Sequence, residues 1–197
     1  MTDWNALYET KETPWDKGQS TPVLEEAHFL HPELFQGKVL VPGCGTGYDA
    51  RSLAHLGCEV VGLDIAPLAI EQARKLDSTG SVDFRLENLF DLSENLRGAF
   101  DFVWEHTCLC ALPLEMRNQY VRGVKSALKP EGRVMGVFFL NPDMDPDESG
   151  PPFGITVDEL ISLWTAEGFT VVEQWEPKTG YSGRVGRELF LWLRQSL

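Results

Sequence analysis

The fold of this chain is decided by the stretch Val39-Leu-Val-Pro-Gly-Cys-Gly-Thr-Gly47. An apolar segment typical of a buried strand leads into three alternate glycines, and a helix-like pattern begins directly after them. Glycine adopts positive φ at no steric cost and lets a ligand approach the backbone closely. Open α/β sheets bind ligands at the carboxyl ends of such strands. The stretch therefore predicts a ligand site, although a plain tight turn is the simpler alternative.

Strand-like and helix-like patterns alternate on both sides of this stretch. We predict helices at 22–29, 48–56, 67–76, 114–128 and 156–167. Predicted strands lie at 38–42, 59–63, 82–87, 100–104, 133–140, 169–174 and 188–194. The alternation predicts an α/β fold with a mostly parallel seven-stranded sheet and helices on both faces. Because the last two strands have no helix between them, one of them should run antiparallel, at or near an edge.

The bulk properties indicate a single domain over residues 1–197, interrupted by a predicted loop at 141–155 that is rich in turn formers. No apolar run is long enough to span a bilayer and no secretory signal is visible, so we expect a cytoplasmic protein. The formal net charge of −13 repels nucleic acid and anionic membranes, and no basic cluster offsets it. We expect a small-molecule substrate, no nucleic-acid or membrane partner, and a monomer.

The four cysteines are Cys44, Cys58, Cys108 and Cys110. They form no C-x-x-C pair, and His106 does not complete a ligand set around the nearest two, since a zinc site needs about four clustered ligands. We therefore expect no metal, and thiols that are buried and inert like small hydrophobic side chains.

Two ligands compete for the glycine loop. A dinucleotide fingerprint reads G-x-G-x-x-G, and Gly43 and Gly45 fit its first two places. The third place falls on Tyr48, whereas Gly47 comes one residue early. The resulting order, G-x-G-x-G, resembles that of class I methyltransferases, which bind S-adenosylmethionine.

Residues after the second and third predicted strands support an adenosine-containing ligand. Asp64, 21 residues after Gly43, has the position and chemistry to accept hydrogen bonds from ribose hydroxyls, although it could simply cap the next helix. Ile65 would then cover one face of the adenine. Asn88 and Leu89 follow the third strand, where class I methyltransferases place side chains near the adenine amine.

Specific motifs occur along the whole chain, at Trp4, Thr13-Pro-Trp-Asp-Lys-Gly-Gln-Ser-Thr-Pro22, Leu40-Val-Pro-Gly-Cys-Gly45, Val61-Gly-Leu-Asp64, Trp104-Glu-His106, Leu114-Glu-Met-Arg117 and Gly150-Pro-Pro-Phe153. With them the chain resembles the thiopurine methyltransferase family, and within it especially the plant-type halide/thiol methyltransferases. The motifs Thr13-Pro-Trp-Asp-Lys-Gly18 and Gly150-Pro-Pro-Phe153 are specific to this family. The resemblance implies a Rossmann-like class I methyltransferase fold with S-adenosyl-L-methionine as the methyl donor and S-adenosyl-L-homocysteine as the product.

The resemblance also implies a lid. Residues 1–30 would fold over the cofactor, and Trp4 and Trp15 would wall the donor, with Trp15 also contacting the substrate. A simpler interpretation is that both tryptophans anchor an otherwise loose N-terminal segment, and the two interpretations are compatible.

In this family the segment after the fourth strand faces the reacting methyl group. Here it contains Glu105 and His106, where related enzymes place arginine or an aromatic residue instead of His106. We predict that His106 is a base or a substrate contact, with packing as the alternative. Glu105 would hold the ammonium group of the donor or orient His106. Phe153 replaces a tyrosine of the halide enzymes and is the third predicted substrate contact.

Methyl transfer from a sulfonium is an in-line displacement at carbon, so the protein must chiefly align the reactants and exclude water. A thiol, with a pKa of about 8.5, loses its proton readily near neutral pH and needs little base assistance. We expect methyl transfer to a small soft nucleophile, above all a thiol or hydrosulfide. A halide, a thiopurine or a metalloid oxyanion are the alternatives. A dehydrogenase or a non-catalytic S-adenosylmethionine-binding module are remote ones.

Overall fold

The computed structural model describes residues 2–142 and 150–196. Within them, six α-helices form: α1 (Trp4–Thr10), α2 (Pro22–Leu30), α3 (Tyr48–His55), α4 (Pro67–Leu76), α5 (Arg117–Ala127) and α6 (Val157–Ala166). The same residues form seven strands: β1 (Lys38–Pro42), β2 (Glu59–Asp64), β3 (Val82–Leu86), β4 (Phe100–His106), β5 (Leu128–Phe139), β6 (Phe169–Trp175) and β7 (Glu188–Gln195).

All seven strands lie in one sheet with the order β3-β2-β1-β4-β5-β7-β6. Strands β3, β2, β1, β4 and β5 are parallel to one another. Strand β7 runs antiparallel to both β5 and β6. The antiparallel strand lies one place in from the edge, and β6 forms the edge itself. The predicted α/β fold with a mostly parallel sheet and one antiparallel strand is confirmed.

Alternate residues of the central strands pack into two separate cores, one on each face of the sheet. Val39 and Val41 of β1 pack with Trp104 on one face. Leu40 packs with Val103 on the other. Because side chains along a strand point to opposite faces in turn, these apolar runs need helices on both sides of the sheet. The two cores hold β1 and β4 rigidly side by side, and the carboxyl ends of both strands lead directly into the site.

Several boundaries differ from the predicted ones. Helix α1 was not predicted, and the side chain of Asp3 caps it by accepting a hydrogen bond from Ala6 N at 3.1 Å. Helix α5 begins at Arg117 because the three residues before it form a separate turn of 3-10 helix. Strand β5 begins five residues earlier than predicted, since Leu128 already pairs with Phe100 before a register shift.

The loop predicted at 141–155 is only partly described, because residues 143–149 lie outside the described residues. Its C-terminal part is tied down by Phe153 N, which donates to Cys110 O at 2.7 Å, and by Ile155 N, which donates to Leu140 O at 3.0 Å. Helix α6 then starts with a reciprocal capping box between Thr156 and Glu159. In the described ranges, no helix has both the length and the apolar character that crossing a bilayer requires.

Candidate functional site

The glycine loop after β1 has the left-handed backbone that its sequence predicts. Gly43, Gly45 and Gly47 have φ angles of 59°, 53° and 80°. A Cβ atom at Gly43 would lie 2.8 Å from Cys108 Sγ, and one at Gly45 would lie 3.0 Å from the hydroxyl oxygen of Tyr8. Side chains at these positions would therefore be both strained and crowded, which explains why glycine occupies them.

Asp64 ends β2 beside this loop and orders the backbone around it. One carboxylate oxygen accepts from Gly45 N at 2.9 Å, and the other accepts from Ala66 N at 2.8 Å. Burial raises the pKa of Asp64, while these hydrogen bonds act in the opposite direction. Asp64 thus braces both the glycine loop and the turn into α4, and its side chain also lines the cavity above them.

A cavity of about 410 Å³ extends over the carboxyl ends of the parallel strands. Its volume lies within the range of about 300–1,000 Å³ that is typical of small-molecule sites. At the β2–β3 end it is lined by Asp64, Ile65, Glu87, Asn88 and Leu89. The predicted adenosine-binding residues are therefore brought together around one space.

The opposite end of the cavity lies above β4 and β5. Its walls include an apolar group and one cation, namely Cys110, Phe139, Pro151, Pro152 and Arg184, with Thr107 between the two ends. Burial raises the pKa of Cys110 to about 12 and that of Cys108 well above its usual range, so both thiols are neutral. Among the described residues, no group of histidine, cysteine and acidic side chains is arranged to hold a metal ion.

The N-terminal segment closes one side of the cavity with aromatic rings. The ring centroids of Trp4 and Trp15 are 5.3 Å apart in an edge contact, and Trp15 Nε1 donates to the hydroxyl of Tyr8 at 3.4 Å. All three side chains line the cavity. The hydroxyl of Thr46 donates to Asp16 at 2.8 Å and attaches this segment to the glycine loop. Leu68 N of α4 also donates to Asn5 Oδ1 at 3.0 Å. Aromatic packing and these two polar contacts hold residues 4–16 over the site.

An acid that the sequence did not single out organises the floor of the site. Asp49 lies in the first turn of α3 and accepts hydrogen bonds from Thr21 N at 2.8 Å and Trp104 Nε1 at 2.9 Å. The oxygen that accepts from Trp104, Oδ2, also bonds Nδ1 of His106 at 2.8 Å. Burial by itself would raise the pKa of Asp49, but the charge and hydrogen bond of His106, together with the hydrogen bonds from Trp104 and Thr21, lower it.

His106 lies beside the main cavity rather than in its wall. It borders a side pocket of about 70 Å³, and Thr107 lines both spaces. Burial favours the neutral ring, yet the carboxylate of Asp49 outweighs burial and raises the pKa of His106; Arg184 opposes this and Glu188 adds to it. Nε2 of His106 is buried and has no hydrogen-bond partner among the described residues. The predicted direct substrate contact therefore stays a prediction.

Glu105 and Phe153 also lie outside the residues that line the main cavity. Glu105 is buried beneath the wall, where Oε1 accepts from Cys108 N at 2.9 Å and from Leu109 N at 2.8 Å. Burial raises the pKa of Glu105 to about 7. Instead of Phe153, its neighbours Pro151 and Pro152 face the cavity. Neither side chain lines the cavity, so a contact of Glu105 with the donor and a contact of Phe153 with the acceptor remain predictions.

Sequence reasoning missed several residues of the walls, among them Tyr8, Lys17 and Arg184. The amphipathic pattern of α1 is a weak signal for Tyr8, because the helix has only seven residues. No periodicity marks Arg184, which lies on the irregular connection between β6 and β7. Its position becomes evident only when the sheet brings that connection to the end of β5.

The strand order, the glycine loop after central β1 and the acid that ends neighbouring β2 define a class I methyltransferase that uses S-adenosylmethionine. The cavity fits this donor, since an acidic side chain, a close-approach loop and aromatic walls converge on it. The sequence profile of the thiopurine S-methyltransferase (TPMT) family matches residues 1–179. The chain belongs to this family.

Individual proteins agree with this assignment. The probable thiol methyltransferase 2 of Arabidopsis thaliana is 32% identical over 199 residues, which cover 98% of this chain and 85% of the relative. Thiocyanate methyltransferase 1 of Brassica oleracea is 30% identical, with 94% and 81% covered. A structure solved in work on the conversion of a disulfide bond into a thioacetal group during echinomycin biosynthesis shares the fold, with a TM-score of 0.82, 24% identity, and 98% and 90% covered.

Proposed function

We propose that this enzyme transfers the methyl group of S-adenosylmethionine to the sulfur of a small thiol or of hydrosulfide. The observation that carries the proposal is the character of the cavity above β4 and β5. Phe139, Pro151 and Pro152 form an apolar wall there, and Arg184 adds a positive charge. A dry apolar wall strips water from a soft nucleophile, and a nearby cation favours the anionic form of a thiol.

At the other end we propose that the predicted residues hold the donor. Asp64 would accept hydrogen bonds from the ribose, and Ile65 would cover one face of the adenine. Asn88 and Leu89 would border its amine, while Gly43 and Gly45 admit the donor to the loop. Trp4 and Trp15 would close over it. When bound, the sulfonium supplies an activated methyl group. The protein then has to hold the acceptor sulfur in line with that group and keep water out.

His106 would accept the proton of an acceptor that arrives as a neutral thiol. Asp49 bonds Nδ1 at 2.8 Å, so the neutral ring carries its proton on Nδ1 and has its lone pair on Nε2. The raised pKa of His106 makes the ring a stronger base. Because His106 borders the side pocket and not the main cavity, the proton would pass beside Thr107, and a small movement of the ring is part of the proposal. Glu105 would support this segment through the backbone of residues 108 and 109.

The named activities of the relatives support a sulfur acceptor. One is a probable thiol methyltransferase and the other a thiocyanate methyltransferase, and both names describe small soft nucleophiles. A halide, a thiopurine or a metalloid oxyanion would need the same in-line alignment with the methyl group. The same test therefore includes them as alternative acceptors.

The test is a panel of acceptors with the purified enzyme: hydrosulfide, methanethiol, thiophenols, iodide, a thiopurine and tellurite. Formation of S-adenosylhomocysteine is measured, and kcat/KM is compared across the panel. We expect hydrosulfide or a small thiol to have the highest value, by about tenfold or more, which corresponds to about 1.4 kcal/mol in the transition state. A higher kcat/KM for iodide, tellurite or the thiopurine would refute a small thiol or hydrosulfide as the acceptor. Tight donor binding without any turnover would refute catalysis.

We also propose that residues 1–30 form a lid, and that the enzyme works as a cytoplasmic monomer without a nucleic-acid partner. The contact between Asp16 and Thr46 gives the lid a site of attachment. The net charge of −13 disfavours association with polyanions. Sedimentation velocity with and without duplex DNA tests the monomeric state and the absence of a nucleic-acid partner. A dimer would contradict the first, and a boundary shifted by DNA would contradict the second.

A further inference from the structure

The charged residues that the sheet contributes to the main cavity differ in sign between its two ends, and a further cation, Lys17, comes from the N-terminal segment. Four of the described residues that line it carry a full charge: Asp64, Glu87, Lys17 and Arg184. The two acids follow β2 and β3, whereas Arg184 precedes β7. The strand order β3-β2-β1-β4-β5-β7 puts these positions at opposite ends of the cavity. The donor end is therefore acidic, and the opposite end holds a cation although the chain is strongly acidic as a whole.

Arg184 is held in place by two residues of the sheet. Its Nη1 donates to Glu188 Oε1 at 3.2 Å, and its guanidinium carbon lies 4.5 Å from the ring centroid of Phe139. Phe139 and Glu188 are direct partners across β5 and β7. The Arg184 side chain is only 12% exposed. A guanidinium fixed in this way is pre-organised and largely removed from water, so its attraction for an anion is stronger than at a surface.

Glu188 neutralises this cation only in part. Arg184 lines the cavity, whereas Glu188 is not among the lining residues and its side chain is only 2% exposed. Only one of its oxygens bonds the guanidinium, and burial raises the pKa of Glu188 despite the opposing effects of His106 and Arg184. An incoming anion therefore meets the positive charge before it meets the acid.

We propose that Arg184 forms an anion subsite for the methyl acceptor, which selects acceptors whose reacting sulfur carries negative charge, such as a thiolate, hydrosulfide or thiocyanate. The inference rests on the proposed function and names the charge state of its substrate. The cation holds the acceptor against the apolar wall of Pro151 and Pro152. The negative charge on the acceptor sulfur is greatest before reaction and falls as the new S–C bond forms and the C–S bond of the sulfonium breaks. Arg184 therefore favours the bound acceptor at least as much as the transition state. It therefore acts mainly on KM.

The test measures anion binding without turnover. Thiocyanate is titrated calorimetrically, at constant ionic strength, into the enzyme saturated with S-adenosylhomocysteine. Arg184→Gln should raise the Kd for thiocyanate about 10- to 100-fold, the range expected from loss of a hydrogen bond to a charged group. Arg184→Lys retains the charge but loses the planar fork, and should raise it about three- to tenfold. Arg194→Gln removes the same charge from an exposed position of β7 and should leave the Kd within about twofold.

A general defect of the connection between β6 and β7 would appear differently. The affinity for S-adenosylhomocysteine should change less than about twofold in all three variants, since the acids at the other end are untouched. If Arg184→Gln does not fold, Arg184→Lys carries the test alone. Unchanged thiocyanate binding in the Arg184 variants, an equal loss of affinity for both ligands, or no thiocyanate binding by the wild type would each overturn the subsite.

The outcome is separable from that of the proposed function. If the wild type methylates hydrosulfide but binds thiocyanate independently of Arg184, the subsite is wrong and the thiol reaction stands. If thiocyanate binding depends on Arg184 but hydrosulfide is not methylated, the subsite stands and the thiol acceptor is wrong.

Discussion

Nδ1 of His106 lies 2.8 Å from a carboxylate oxygen of Asp49, and both side chains are only 10% exposed. The two residues come from different elements, since Asp49 lies in the first turn of α3 and His106 ends β4. Their ionisation states are therefore coupled. The pKa of His106 is raised above its ordinary value of 6.5, against the effect of burial. That of Asp49 is lowered below 3.8, also against burial.

The first prediction concerns the pH dependence of stability. Since the pKa of His106 is raised on folding, its contribution is fully present below about pH 6.5 and is lost as the pH rises through the folded-state value. Since the pKa of Asp49 is lowered, its contribution is present above about pH 4 and is lost as the pH falls through the folded-state value. The pair should therefore stabilise the fold most between these limits.

Asp49→Asn should remove this pattern. Loss of one partner of a buried pair costs about 3–5 kcal/mol, and we expect that loss near pH 6 and a clearly smaller one near pH 9, measured by urea unfolding. Asp101→Asn is the matched control, because the pKa of Asp101 is also lowered against burial, but by Lys129 instead of a histidine. The control should lose the same stability near pH 6 and near pH 9, because a carboxylate with a lowered pKa contributes throughout that range. An equal loss for Asp49→Asn at every pH would contradict the coupling.

The second prediction concerns the donor. Asp64→Ala should weaken binding of S-adenosylhomocysteine by about 1.5–3 kcal/mol, because the ribose loses a charged acceptor. Asp64→Asn should lose less, since it keeps one acceptor for the ribose or for Gly45 N. Calorimetric titration measures both. Asp83→Ala removes an exposed acid of β3 and serves as the control. A dissociation constant that stays unchanged in Asp64→Ala would exclude Asp64 from the site.

The part of the site that could be predicted from the sequence is the part built from neighbouring residues. A strand, a glycine loop and a helix follow one another within 39–56, and Asp64 ends the next strand, so local patterns were sufficient. The same holds for the order of strands and helices, because each element carries its own periodicity. The family motifs located Trp4 and Trp15, whose rings the structure brings together at 5.3 Å.

The part that could not be predicted depends on long-range contacts. Asp49 is 55 residues from Trp104 and 57 from His106, and only the adjacency of β1 and β4 brings α3 to them. Arg184 lies on an aperiodic connection, and its place at the cavity follows from the antiparallel pairing of β7 with β5. The family resemblance predicts Glu105 and His106 as site residues because it places the segment after β4 at the reacting methyl group. Thr107, the next residue, lines the cavity, and contacts of Glu105 and His106 with the donor or acceptor remain predictions.

The third prediction tests the lid. Residues 4–16 are attached by aromatic packing and by hydrogen bonds from Thr46 to Asp16 and from Leu68 N to Asn5. Hydrogen exchange of residues 2–20 should slow on addition of S-adenosylhomocysteine, because the bound product adds apolar contacts for Trp4 and Trp15. Asp16→Ala should reduce this protection, whereas Glu9→Ala, at an exposed position of α1, should not. Equally strong protection with and without the product would contradict a lid that orders on binding.

The last prediction separates a base from a packing residue at position 106. If His106 takes the proton of a neutral thiol, His106→Ala should slow methyl transfer to a thiol of high pKa by about 10²–10⁴-fold, the usual contribution of a positioned base. An acidic thiophenol or iodide arrives already charged and should react within about threefold of the wild-type rate. The loss for the basic thiol should shrink as the pH rises from about 6 to about 9, because solvent then forms the thiolate.

Single-turnover methyl transfer with one acidic and one basic thiol measures this directly. Tyr181→Phe is the matched control, because Tyr181 packs beside His106 with ring centroids 5.8 Å apart and its hydroxyl donates to Gln19 O, away from His106. It should slow both thiols alike and by little. Asp49→Asn should behave as a weaker His106→Ala, since a ring without its carboxylate partner is a poorer base. If His106→Ala instead loses the same factor on every acceptor at every pH, the ring only packs against the site. The enzyme would then rely on alignment and on acceptors that ionise without its help.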